Sequence, residues 1–330
     1  MSHTDTRSHK KQSDALGRAT FHHIAPLAHV RPTAREIRWL KHIERHGPLS
    51  SAYLHAHTQD THRCRDTSLR QLQKLRAGGF LMLPRQQRFT EHADFNPYIY
   101  DLTKQAHTHL IDLAIAEPTM RPTGHWGHGA DVASVTSAID IGAARDNVRF
   151  IPAHEILAIK QASLAIPIGN RKLVPDQLFA LDYGGSYRAF FFWEGGGGDQ
   201  LFALDYGGKY RAFMLEVDRG TEPKTSSAAR KSYASSIELY QQMIEQNIHR
   251  THYGVKATTL VLWVFSRRSN EQRFLEMVGQ IVGPAKNLIC TQVIPADRAA
   301  QKSFRQYYES DWNRCQNGPV ILSRSGLQNQ

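Results

Sequence analysis

The sequence predicts a mixed chain, α+β grading into α/β, built in two parts. A helical unit with short strands stands in front, and a mixed sheet flanked by helices and carrying a duplicated β-hairpin stands behind. Three observations carry this. The 330 residues exceed one ordinary domain. In the front third, apolar residues recur at helical spacing and end in short extended runs. Behind it, strand-sized apolar runs alternate with helical stretches, as crossovers on a sheet require.

Composition narrows the class. Hydrophobic residues make up 41% and charged residues 22%, enough apolar surface to bury a core and too little charge for wholesale disorder. The longest apolar run, Leu260-Val261-Leu262-Trp263-Val264-Phe265, is far short of the roughly 20 residues that span a bilayer, so no membrane partner is expected. The first fourteen residues are polar and lack the apolar segment of a secretory signal. Cys64, Cys290 and Cys315 are odd in number and far apart, which excludes a disulfide scaffold and points to the reducing cytoplasm. The formal net charge is +11. Residues 1–110 hold 17 Lys+Arg against 9 Asp+Glu, a surplus of eight, and 13 of the 18 histidines. A basic front third suits an anionic partner, nucleic acid first.

The elements follow in order. Residues 1–30 lack periodicity and read as a leader. Thr33 with Glu36 makes a capping box, and Ile37, Leu40 and Ile43 give the first helix, stopped by Gly47-Pro48. A second helix follows the Ser50-Ser51 cap. A third begins near Asp66 and runs through Leu69, Leu72 and Leu75 to Gly78-Gly79. Strands at 80–83 and 98–100 flank a polar loop, and a fourth helix starts near Thr103. Helix, helix, helix, strand, loop, strand is the order of a winged helix-turn-helix. The third helix pairs a narrow leucine stripe with a basic, amide-rich face. Arg65, Ser68, Arg70, Gln71 and Lys74 are types that reach phosphates and base edges. Arg85 and Arg88 would extend that surface from the wing. The expected partner is double-stranded DNA.

The expected layout is a leader over 1–30, the winged helix over 31–116 and a Pro/Gly-containing linker over 117–127. A sheet domain over 128–295 and a C-terminal extension over 296–330 complete it. Within the sheet domain a helix spans 130–145 and an extended piece 148–151. An internal repeat follows. Residues 176–190 and 199–213 are identical at fourteen of fifteen positions, differing only at Ser186 against Lys209, with Gly195–Gly198 at the joint. Each copy reads as a β-hairpin with an Asp-Tyr-Gly-Gly turn. A helix capped near Thr225-Ser226 carries Lys231 and buries Tyr233, Ile237, Tyr240 and Ile244. A strand at 258–265, a helix and a strand at 287–291 follow.

Helix, strand, hairpin, helix, strand, helix, strand is the arrangement of the restriction-endonuclease-like PD-(D/E)xK core. There two carboxylates converge on Mg²⁺, a hard ion that prefers oxygen ligands. Pro175-Asp176 supplies the first acid. Glu216-Val217-Asp218 stands in the second position, with Asp where Lys is usual. Asp176 or Asp199, Glu216 and Asp218 are the metal candidates, and Lys231 is the candidate cation beside the phosphate. Glu155 is a further acid. Two copies offer two strands for one place in the sheet. The Asp176 strand can pair with the Glu216 strand and loop out the middle, the Asp199 strand can pair with it and extrude the first copy, or all four strands can form a meander; the sequence does not choose, although the shorter loop favours Asp199 opposite Glu216. His55, His57, His62 and Cys64 match no standard zinc spacing.

Val174-Pro175-Asp176, the string Phe213-Met214-Leu215-Glu216-Val217-Asp218-Arg219-Gly220-Thr221-Glu222, and a following helix with Lys231 and Tyr233 resemble the replication-relaxation family. The resemblance covers about residues 30–290. It implies a bacterial plasmid or mobile-element protein acting in copy-number control and DNA relaxation or mobilisation. It further implies an N-terminal DNA-binding winged helix and a C-terminal nuclease-like fold. Separately, the order acid, acid, Lys suggests a Mg²⁺-dependent nickase, and a degenerate nuclease fold would instead serve as an adaptor for replication or relaxase proteins. The doubled hairpin departs from the family pattern.

Overall fold

The computed structural model describes residues 24–61, 63–84, 97–118, 120, 126–184, 187–189, 204–206, 210–220, 232–294 and 306–328. The chain forms two compact units, Met1–Ala116 and Glu117–Gln330. Among the described residues, no helix is long and apolar enough to cross a membrane. The fold class is mixed α/β.

In the front unit α1 (Ala34–His46) opens with the expected capping box on Thr33 and Glu36. A short strand β1 (Leu49–Ser50) leads into α2 (Ser51–His57), and α3 (Arg65–Ala77) follows. Strands β2 (Leu81–Met82) and β3 (Ile99–Leu102) precede α4 (Lys104–Asp112), capped by Thr103. The sheet order is β1-β3-β2, antiparallel throughout. Two residues of β1 carry too little pattern to register as a strand, and β3 creates the strand by pairing with it. Trp39, Leu40, Ile43, Leu54, Leu72 and Leu75 are wholly buried and form the core. The inward row of α3 is Ser68, Leu72 and Leu75, with Leu69 only half-buried, a correction to the leucine stripe.

The back unit begins with α5 (Trp126–Arg145), a few residues before the expected start. Then come β4 (Arg149–Pro152), α6 (Ala153–Ala158) and a hairpin, β5 (Ile166–Ile168) with β6 (Arg171–Leu173). The sequence reading missed that hairpin, whose strands are three residues long. β7 (Gln177–Asp182) is buried along its whole length. Two short strands, β8 (Tyr187–Ala189) and β9 (Leu204–Tyr206), precede β10 (Tyr210–Asp218). Helices α7 (Tyr233–Glu245) and α8 (Ile248–Tyr253) lead to β11 (Thr259–Phe265), α9 (Arg268–Gly279) and β12 (Ile289–Val293). Short helices α10 (Gln306–Glu309) and α11 (Arg324–Gln328) close the chain. The sheet order is β12-β11-β10-β7-β4. β10, β11 and β12 run parallel, while β7 is antiparallel to both neighbours. One face buries Met214, Trp263 and Phe265 under Tyr233, Tyr240 and Phe274. On the sheet, Phe150, Phe179 and Phe213 stack at 5.1 Å centroid spacing. Gly142 of α5 is a close-approach position, because a Cβ there would lie 2.7 Å from Tyr308.

The repeat folds differently from its reading as two hairpins. The strands pair between copies. The first strand of copy one, β7, joins the return strand of copy two, β10, with Asp182 opposite Tyr210 and Gln177 opposite Leu215. The inner strands β8 and β9 pair as a separate ribbon, with Tyr187 opposite Tyr206. The expectation that loop entropy seats Asp199 opposite Glu216 is therefore corrected. Residues 183–209 separate β7 from β10, 27 in number. Seating copy two instead would leave 174–199, 26 residues, between β6 and the sheet. The closure costs cancel, since they grow only with the logarithm of loop length. The ribbon pairing then favours the observed order.

Candidate functional site

On α3 the helix geometry sorts the basic face from the buried row. Arg65, Arg70 and Lys74 are exposed, together with Gln73. Lys74 Nζ lies 3.9 Å from Glu36 Oε1. Ser68 is a correction to the expected contact set, since it is fully buried. The reason is Arg35, itself buried, whose Nη2 donates to Ser68 Oγ at 2.6 Å and whose Nε donates to Thr58 Oγ1 at 3.1 Å. His55 Nδ1 also lies 2.9 Å from Ser68 Oγ. A buried guanidinium needs such acceptors to offset lost hydration. Gln71 is half-buried, and its amide oxygen accepts from Arg35 Nη1 at 3.0 Å. Arg85 and Arg88 lie outside the described residues.

In the back unit Asp176, the residue before β7, is fixed against β10. Its N donates to Leu215 O at 3.0 Å, one residue out of step with the ladder, whose last pair is Gln177 opposite Leu215. Asp176 Oδ2 accepts from Val217 N at 2.8 Å, and Oδ1 lies 2.9 Å from His128 Nε2. His128, on the first turn of α5, is a site residue that sequence reasoning missed. Its flanking glycines carry no spacing signal, and only the fold brings it to Asp176. The pair is partly open to solvent, at 20% for His128 and 15% for Asp176. Nearby, Arg219 Nε sits 3.2 Å from Asp131 Oδ2.

Glu216 and Asp218 share a strand face, as residues two apart must. Both are buried under α7. Tyr240 Oη donates to Glu216 Oε1 at 2.6 Å, and Tyr233 Oη donates to Asp218 Oδ2 at 2.8 Å. The two tyrosines are seven residues apart, on one helix face. Burial first, and then the Glu216 charge, pushes the Tyr240 phenol well above its ordinary value, so it stays protonated and donates. Asp218 Oδ1 also accepts from Gly220 N at 2.9 Å, a turn that Gly220 closes with φ +80°.

This arrangement does not fit a resident Mg²⁺. That ion wants an octahedron of oxygens and keeps several waters. Here Glu216 and Asp218 are closed off and spend oxygens on tyrosine hydroxyls, and the accessible acid, Asp176, faces an imidazole. Glu155 pairs with Arg149. Asp199 and Lys231 lie outside the described residues, and Lys231 precedes Ser232, the N-cap of α7.

A family model described as replication-relaxation matches residues 40–259. No curated protein matches, and no solved structure does.

Proposed function

The chain belongs to the replication-relaxation family, which points to a role in plasmid or mobile-element replication or relaxation; from that premise we propose that it binds duplex DNA through α3. One observation carries the reading. Arg65, Arg70 and Lys74 project to solvent from a helix whose opposite row is fixed in the core. The order α1-β1-α2-α3-β2-β3, with β3 central, supports reading the unit as a winged helix. Its third helix is then the one that enters the major groove. The test is a salt titration of duplex binding. Each lost phosphate contact flattens the slope of log K against log[salt] by about 0.9. Arg70→Ala combined with Lys74→Ala should flatten it by nearly two units, and an unchanged slope would overturn the reading.

A second reading, a metal-dependent nickase, is favoured by Asp176 Oδ2, which accepts from Val217 N, the residue after Glu216. Supercoiled plasmid incubated with Mg²⁺ or Mn²⁺ tests it, wild type beside Glu216→Gln. Nicking that disappears in the variant supports an enzyme. No nicking by the wild type favours an adaptor that recruits a relaxase, checked by pull-down from cells carrying the element.

A further inference from the structure

We propose that Gln71 selects a guanine in the major groove, and that Arg35 gives it this choice by holding its amide one way round. The proposal rests on the reading of α3 as the helix that enters the groove. A guanidinium has only N–H donors and no acceptor, so the amide atom it faces must be oxygen. Arg35 Nη1 donates to Gln71 Oε1 at 3.0 Å. The amide nitrogen therefore points elsewhere. Among the described residues it has no protein partner, and it is not sealed from solvent.

Arg35 is not free to swing away and release the oxygen. It is buried, its other nitrogens donate to Thr58 Oγ1 at 3.1 Å and to Ser68 Oγ at 2.6 Å, and its Cζ lies 4.6 Å from the centre of the Trp39 ring. None of these partners is a carboxylate. The positive charge polarises the Gln71 amide and strengthens the N–H donors at its other end. Residues three apart are neighbours on a helix surface, and Gln71 stands three before the exposed Lys74, at the border between the buried row and the basic face.

The hydrogen-bond code of the groove then chooses the base. A free glutamine reads adenine with both ends of its amide, oxygen to N6–H and nitrogen to N7. Here the oxygen is taken, which leaves donors without an acceptor. Guanine presents two acceptors, O6 and N7, and no donor. Adenine sets a donor beside N7, cytosine offers a donor, and thymine sets a methyl group beside O4. Guanine is the matching edge.

Selection of duplex sites from a random pool by the full chain, at fixed salt, tests this. The wild type should enrich guanine at one position where Gln71→Ala and Gln71→Glu both lose the preference, with the other positions keeping theirs and circular dichroism confirming the fold. Gln71→Glu is the stricter variant, because its carboxylate still accepts from Arg35 but carries no donor. In the wild type, 7-deazaguanine at that position removes the N7 acceptor and should weaken binding about fivefold, with Gln71→Glu unaffected. A guanine preference that survives Gln71→Glu, or another base enriched at the position the variants lose, would overturn the proposal. Duplex binding that weakens with Arg70→Ala and Lys74→Ala yet shows no such position would overturn this proposal alone. Absence of duplex binding would overturn both it and the reading beneath it.

Discussion

Single side chains in this molecule are decided by what burial does to charge. Glu216 keeps its carboxylate in the interior because Tyr240 donates to it at 2.6 Å. Tyr240→Phe removes that donor and leaves an acid short of a bond where water hardly reaches. Unfolding free energy should drop by about 1–3 kcal/mol, read by urea denaturation. An unchanged midpoint would mean that water takes the place of the hydroxyl. His42 shows the opposite charge logic. It is buried against His57, stacked at 3.8 Å, and against His46. Burial first, then these neighbours, holds its pKa well below 6.5. His55 shifts the same way. The unfolded chain therefore binds protons that the folded chain refuses. Stability is complete above the ordinary histidine range and declines as pH falls below about 6.5. His42→Gln should lessen that acid sensitivity in melts between pH 7.5 and 5.

Among elements, the doubled hairpin is the informative case. Because Asp182 pairs with Tyr210, removing residues 183–205 would join the same two strands through Tyr206–Lys209, a four-residue turn. Shrinking the loop from 27 residues to four recovers about 1.5–2 kcal/mol of closure entropy, set against the lost ribbon pairing. The shortened chain is expected to melt no lower than the parent, and a clear fall would show that the ribbon packs into the core. The helices were legible in the sequence, since Tyr233, Ile237, Tyr240 and Ile244 are buried at the spacing read from them. So were the long apolar strands. β1, β5 and β6 were not, being too short to show a period, and neither was strand choice among identical copies, which no local signal can rank. Asp176 and Glu216 were legible as strand-end acids. His128 and the tyrosine donors were not, because their roles arise only when α5 and α7 pack on the sheet. Ser68 was misread because a short hydroxyl on a polar helix looks solvated until Arg35 is placed beneath it.

For the whole molecule, two units with separate cores set the expected unfolding behaviour. Trp39, Leu40 and Leu72 belong to one core, and Phe213, Trp263 and Phe274 to the other. Scanning calorimetry should resolve two transitions rather than one. Acidification should lower the front transition more steeply, because His42 and His55 both lie in that unit, while among the described residues of the back unit His249 alone is lowered by burial. A single transition at every pH would show that the units unfold as one. The charge distribution has its own reach, since eight of the eleven surplus positive charges lie in the first 110 residues. Encounter with a polyanion should be oriented, front unit first, and fade as salt rises.

The antiparallel partnership of β7 and β10 holds although 27 residues separate the two strands. The junction between Asp182 and Tyr210 is thus a natural port for grafting. A fluorescent reporter or affinity handle spliced there would leave the sheet through the Asp182 end of β7 and spare the His128–Asp176 pair at the other end of that strand.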